Sequence, residues 1–100
     1  MLTNFHTYQL AKKLYQDCIK LRTKNYVRDQ LERASFSVCL NLAEGSGKAT
    51  EKDRRRFYNI ALGSLREVYA VLDTHNYPVE QCNYLGACIW KLIKNPGKLE

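Results

Sequence analysis

A chain of 100 residues holds one domain and buries roughly two-thirds of the surface its unfolded form exposes, enough for a single core without disulfide or metal staples. Hydrophobic residues at 45% and charged residues at 26% give an ordinary globular balance, and no apolar run approaches the roughly 20 residues that a membrane-crossing helix needs. Sixteen Lys and Arg against ten Asp and Glu leave a formal charge of +6, a modest excess that favours polyanions such as RNA, DNA or anionic lipid as partners.

The first segment, about residues 4–23, sets Leu10, Leu14, Cys18 and Leu21 at helical spacing with Lys12, Lys13, Gln16 and Lys20 on the other side, the pattern of an amphipathic helix. Thr23-Lys24-Asn25 ends it, with Asn25 offered as N-cap of the next. The second segment, about 26–44, repeats the pattern through Val27, Leu31, Ala34, Val38 and Leu42, and stops at Gly45-Ser46-Gly47, where glycine can close a helix in the left-handed conformation. Thr50-Glu51-Lys52-Asp53 reads as a capping box with Asp in place of Glu, opening a third helix over about 51–75 with Phe57, Ala61, Ser64, Leu65, Val68 and Leu72 on one face. Asn76-Tyr77-Pro78 breaks that helix, and a fourth follows over about 79–94 with Cys82, Leu85, Ile89, Leu92 and Ile93, ended by Asn95-Pro96-Gly97. Only two prolines and five glycines punctuate the chain, no β-alternation or internal repeat competes, and short connections favour neighbours packed side by side. The expected fold is all-α: a single domain over residues 1–100, an antiparallel up-down-up-down four-helix bundle.

Cys18, Cys39, Cys82 and Cys88 form neither a Cys-x-x-Cys pair nor a zinc-finger pattern, and Cys18 and Cys82 lie on apolar faces where a free thiol behaves as a small hydrophobe. With no signal peptide in view, reduced thiols and a cytoplasmic location are expected.

The second helix is apolar on two sides. Phe36, Leu40 and Ala43 lie well off the Leu31–Val38–Leu42 stripe at 100° per residue, and a helix apolar on two sides is usually covered on two sides. Tyr8, Tyr15 and Ile19 on the first helix and Tyr58, Leu62 and Tyr69 on the third also lie off-centre. A broad core-facing surface is one reading of these positions. A homo-oligomer interface through Phe36, Leu40, Ala43, Tyr58, Leu62 and Tyr69 is the other, and is the expectation adopted.

The run Asp29-Gln30-Leu31-Glu32-Arg33-Ala34-Ser35, leading into Ser37-x-x-x-Asn41-Leu42-Ala43-Glu44-Gly45 and then Arg56-Phe57-Tyr58-Asn59-Ile60-Ala61-Leu62-Gly63-Ser64-Leu65 with Glu67, resembles the four-helix-bundle family encoded in intervening sequences of bacterial 23S ribosomal RNA genes. The resemblance covers nearly half the chain closely. It implies an antiparallel bundle assembling into a ring, with a pentamer as the expected form, and a poorly known function. It extends to accessory bundles of diversity-generating retroelements, and so implies reverse transcriptase and nucleic acid as possible partners. A short connection between the first two helices is a departure from the family pattern.

Ser37, Asn41 and Glu44 follow one stripe of the second helix, where polar groups can bond to a neighbouring helix or cap the Gly45–Gly47 turn, and Glu67 is expected to pair with an arginine such as Arg33 or Arg56. These are read as a structural polar motif. Gly63 inside the third helix costs about 1 kcal/mol relative to alanine, which a close helix approach would offset. The run Lys48, Lys52, Arg54, Arg55 and Arg56, with Arg66 and with Lys12 and Lys13 of the first helix, forms the candidate nucleic-acid-binding set, since arginine can fork onto phosphate oxygens and an oligomer would repeat the patch. A solvated charged face is the alternative.

Enzymatic patterns are not legible. No Glu lies three before His6 or His75 as paired di-iron motifs require, Arg66 is too far from His75 for a helical ribonuclease, and Glu-Gly-Ser-Gly-Lys lacks phosphate-loop spacing. His75 reads as a packed or capping residue. No catalytic residue, metal or cofactor and no membrane partner is expected. The functional expectation is a non-enzymatic oligomeric module contacting RNA or DNA through basic patches, with a protein-interaction scaffold that recruits a partner enzyme as the alternative.

Overall fold

The computed structural model describes residues 1–99, which form four α-helices: α1 (His6–Lys20), α2 (Asn25–Ser46), α3 (Glu51–Thr74) and α4 (Glu80–Lys94). Each helix buries most of the stripe that the periodicity assigns to it: Leu14 and Cys18, with Ala11, on α1; Leu31, Ala34, Val38 and Leu42 on α2; Ala61, Leu65, Val68 and Leu72 on α3; Cys82, Leu85, Ile89 and Leu92 on α4. Leu10, Leu21 and Ser64 are half-buried, and Phe57 is corrected: it is half-buried at the surface, and its neighbour Tyr58 takes the core position. Among the described residues there is no strand, and no helix is long and apolar enough to cross a membrane.

The caps differ from expectation in instructive ways. Asn25 does not cap α2. Lys24 holds the cap position, and the Asn25 side-chain oxygen instead accepts from Arg28 Nη2 at 2.9 Å. The glycines after α2 are not left-handed either: Gly45 lies inside the helix and Gly47 caps it at φ −90°. The left-handed cap is at the far end of α3, where Asn76 takes φ 63°, Tyr77 N donates to Leu72 O at 2.9 Å and Asn76 N to Asp73 O at 3.1 Å. That is a Schellman closure with asparagine in the place glycine usually takes. Thr50 does cap α3, its Oγ1 accepting from Asp53 N at 3.1 Å.

The bundle is about 41 × 21 × 17 Å, with α2 packed on α1 and α3, and α4 packed on α3 and α1. The long helices α2 and α3 share the most extensive seam. Along it Arg33 pairs with Glu67, Ser37 Oγ lies 2.8 Å from Ser64 Oγ, and Gly45 meets Tyr58. The last contact is very close. A Cβ on Gly45 would stand 2.7 Å from Tyr58 Cε1 and 3.1 Å from Phe57 Cβ. Glycine is therefore at residue 45 for room rather than for conformational freedom. The Tyr58 ring fills that space and is fully buried, and its hydroxyl has no hydrogen-bond partner among the described residues. Burial pushes the phenol pKa up, with the charge of Arg54 opposing in part.

Tyr58 is thus a core residue, and its assignment to a subunit interface is corrected. The expectation for Gly63 is corrected too, because nothing lies within 4 Å of a Cβ built there; Ser64, one residue on, is what faces α2. Apolar seams, not ion pairs, hold the structure. Fully buried Leu14, Leu31, Leu42, Leu85, Ile89 and Leu92 contribute about 1.5–3 kcal/mol each, whereas the three ion pairs among the described residues are solvent-exposed and contribute about 0–1 kcal/mol each.

Two outcomes follow from this packing. Gly45→Ala is expected to destabilise by about 1–2 kcal/mol, since overpacking outweighs the gain in helix propensity, while Gly63→Ala is expected to stabilise by up to about 1 kcal/mol; denaturant titration of both variants gives the two signs. The thiols of Cys18, Cys39 and Cys82 are pushed up to about 11 by burial, so thiolate is scarce at neutral pH. Iodoacetamide at about pH 7.5 is expected to label no more than the half-buried Cys88 in the folded chain and all four thiols in denaturant, read by mass spectrometry.

Candidate nucleic-acid interface

The basic residues around the start of α3 are each held by a different local contact. Glu51 and Asp53 occupy the first turn, where negative charge suits the helix dipole. Arg54, half-buried, donates from Nε to Lys48 O at 2.8 Å and from Nη1 to Pro96 O at 3.4 Å, tying the α2–α3 turn to the segment after α4. Arg55 donates from Nε to Ile93 O at 3.0 Å, satisfying a carbonyl in the last turn of α4 that has no partner within its own helix. The Arg56 guanidinium lies 4.5 Å from the Phe57 ring centroid and Lys48 Nζ lies 5.0 Å from it, so one aromatic ring gathers two cations. Lys48 also reaches Glu44 at 3.8 Å, and Lys52 is exposed.

These contacts add a second basic segment that the reading of residues 48–56 had not joined to the first. The last turns of α4 and the residues after it carry Lys91, Lys94 and Lys98, and the bonds from Arg54 and Arg55 draw this segment against α3. Trp90 lies there as well, 51% exposed, with Lys94 Nζ 5.8 Å from its ring centroid. In the sequence the signal was available: a tryptophan off the buried Leu85–Ile89–Leu92 stripe, followed by Lys91 and Lys94. What the sequence lacked was the pairing of Arg55 with a carbonyl 38 residues away.

The remaining members of the candidate set are on α1 and further along α3. Lys12 and Lys13 are on α1, which has no packed seam with α3, and Lys13 is paired to Asp17 at 2.8 Å. That bond, with a further one from Gln81, holds the Asp17 carboxyl below its ordinary pKa. Arg66 is exposed further along α3 and lines a pocket of about 150 Å³ with Leu62, Tyr69, Asn83 and Gly86. A second pocket of about 200 Å³ lies between α1 and α4 beside Asp17, Leu21, Tyr77 and Gln81. Both are smaller than the roughly 300 Å³ that small-molecule sites begin at. Among the described residues no group of three or more His, Cys, Asp or Glu is arranged to hold a metal ion.

The apolar interface set also divides. Phe36 and Leu40 are 48% and 52% exposed on the outer side of α2, with the Phe36 ring 5.5 Å from that of Tyr15. Ala43 is half-buried on the same helix, whereas Leu62 and Tyr69 belong to the α3–α4 pocket and Tyr58 to the core. Ile60, 44% exposed on α3, is an apolar surface residue that the helical wheel had not singled out.

The polar motif takes up structural bonds along the α2–α3 seam. Asn41 Nδ2 donates to Ser37 O at 2.9 Å and to Ser37 Oγ at 3.2 Å, and Arg33 joins Glu67 and, at 2.8 Å, Gln30. Glu44 is not part of that network and points to Lys48. His75 closes α3, its Nδ1 2.8 Å from Val71 O and its ring edge-on to Tyr26.

Comparison with curated proteins and with solved structures finds no match to the chain. A family model does match it, that of the 23S rRNA-intervening sequence protein, over residues 3–94. The match runs through all four helices and takes in the Ser37–Asn41–Gly45 stripe, the tyrosine that Gly45 accommodates and the Arg33–Glu67 pair, and this chain belongs to the 23S rRNA-intervening sequence protein family.

Proposed function

We propose that this chain is a non-enzymatic cytoplasmic module that self-associates and contacts RNA or DNA through the basic end of its bundle. The observation that carries the reading is the meeting of two basic segments. Lys48, Lys52, Arg54, Arg55 and Arg56 come together with Lys91, Lys94 and Lys98 through the Arg54–Pro96 and Arg55–Ile93 bonds, and Glu51 and Asp53 are the acidic residues of α3's first turn. A one-sided concentration of positive charge attracts phosphate at long range and releases counterions on contact, so its binding is sensitive to salt and tolerant of sequence. No recognition-helix arrangement, RNP motif or zinc-finger pattern is legible in the sequence to read bases in a duplex.

The reading takes the four helices to alternate up and down, which is supported by the order of the cross-helix partners Arg33–Glu67, Ser37–Ser64 and Gly45–Tyr58. It takes the exposed Phe36 and Leu40 to be covered by further copies in a ring, five being the number the family resemblance implies. Exposed Phe and Leu side chains on one helix flank also support the second reading, a scaffold that recruits a protein such as a reverse transcriptase.

Titration of labelled RNA and DNA at increasing salt is expected to give log–log slopes of about −0.7 to −0.9 per phosphate contacted, with Lys52→Glu combined with Lys98→Glu weakening both polymers several-fold and alike. Affinity already absent at about 50 mM salt overturns nucleic-acid binding and leaves the scaffold reading. For the oligomer, light scattering is expected to show a multiple of the chain mass that falls to a single chain in Phe36→Glu; an unchanged mass, or a monomeric wild type, contradicts the interface.

A further inference from the structure

We propose that the outer margin of α4 is a stacking platform for single-stranded nucleic acid, with Trp90 receiving an unstacked base and Lys91, Lys94 and Arg55 receiving the flanking phosphates. The proposal rests on the reading that the basic end contacts nucleic acid, and names the form of nucleic acid it takes.

Trp90 is the only tryptophan of the chain, and half of its surface is in water although the same helix buries Cys82, Leu85, Ile89, Leu92 and Ile93. A large flat ring left outside a well-filled core is available for contact with something that is not part of the core. Its surroundings say what. From Gln81 to Lys98 there is no Asp or Glu, and from Arg54 to Arg66 on the adjoining helix there is none. Lys94 Nζ stands 5.8 Å from the ring centroid, and Lys91 follows Trp90 directly. The bond from Arg55 Nε to Ile93 O brings a guanidinium to the turn of α4 that follows Trp90. Nε is one of five donors on that group, and the fork is suited to phosphate oxygens.

An aromatic ring among cations is the arrangement that holds an exposed base and its backbone together; the carboxylate nearest this end is that of Glu51, which lies against Gly97, beyond the last turn of α4. In a duplex the bases are already stacked on one another, so the ring has nothing to receive; in a single strand they are free. Lys94 does not obstruct this. An exposed ammonium–ring contact favours its closed position by about two- to fivefold, while a stacked base is worth roughly fivefold to over a hundredfold, so a base displaces the flexible ammonium toward the phosphate.

Other occupants fit less well. A second copy docked here by twofold symmetry would oppose Arg55, Lys91 and Lys94 to themselves. An anionic membrane would take a basic helix, but insertion needs a broad apolar face, and the next exposed aromatic of α4, Tyr84, lies about 120° around the helix from Trp90.

Because Trp90 is the sole tryptophan of the 100 residues, intrinsic emission of the unaltered chain reports this site without a mutation. Titration at low salt with an oligo(U), an oligo(dT) and a duplex DNA of equal charge is expected to quench Trp90 with the two single strands and to leave it nearly unchanged with the duplex. Trp90→Ala is expected to weaken oligo(U) binding about tenfold with duplex affinity unchanged, and Trp90→Phe to recover most of the loss. Equal binding of all three polymers with unaltered emission overturns the stacking platform while leaving the basic end a nucleic-acid contact. Absence of binding by every polymer overturns both. An emission shift on phosphatidylserine vesicles with no response to oligo(U) overturns the platform in favour of a membrane contact.

Discussion

The ring of Tyr58 and the bare backbone at Gly45 occupy one another's space, and the disposition of the four helices depends on that approach. A methyl group at residue 45 would stand 2.7 Å from the ring, inside any ordinary carbon–carbon contact. With the methyl absent, the lower end of α2 settles against the start of α3 and the two longest helices form the principal seam. Ser37 and Ser64, and then Arg33 and Glu67, fall into register further along it. The remaining helices complete the bundle from either side, α1 against α2 and α4 against α3, and meet each other to close it.

The same seam determines which side chains are left outside. Once Tyr58, Ala61, Leu65 and Val68 are buried, α3 must present Arg55 and Arg66 at its margin with α4 and Ile60 toward solvent. Arg54 and Arg55 then serve two purposes. As hydrogen-bond donors they satisfy carbonyls at the end of α4 and beyond it, and as cations they join the positive charge of α3's start to that of α4's last turns. The basic end of the molecule is in this sense assembled by bonds that also finish a helix.

Much of this was legible in the sequence, and the exceptions share a cause. The four apolar stripes are local, repeating every three to four residues, and periodicity locates them to within a turn or so. Thr50 as a cap is equally local. Tyr58 was assigned to an interface because it lies off the centre of its helix's apolar stripe, whereas here the ring is drawn inward by a space that Gly45 leaves on another helix. The left-handed cap was expected at Gly45–Gly47 on composition and is found at Asn76, because Gly45 is used for close approach and α2 carries on to Ser46. Gly63 and Ser64 exchange roles for the same kind of reason: only the neighbouring helix determines which of two adjacent residues faces it. The site was half visible. Residues 48–56 stand out as a charge run, but their union with Lys91, Lys94 and Trp90 is made by contacts 38 and 42 residues apart, which no local pattern carries. Lys12 and Lys13 had joined the set by charge alone; their helix packs on α2 and α4 and has no seam with α3.

A double-mutant cycle at residues 45 and 58 tests the governing approach most directly. Tyr58→Leu removes the far part of the ring and leaves the seam apolar. If the ring and the glycine share one space, adding the Gly45 methyl to the Tyr58→Leu chain costs little or stabilises it, and the two changes couple by about 1–2 kcal/mol in the direction of relief. Strict additivity, with the Gly45→Ala penalty unchanged when the ring is gone, would contradict the packing on which the rest of this structure is built.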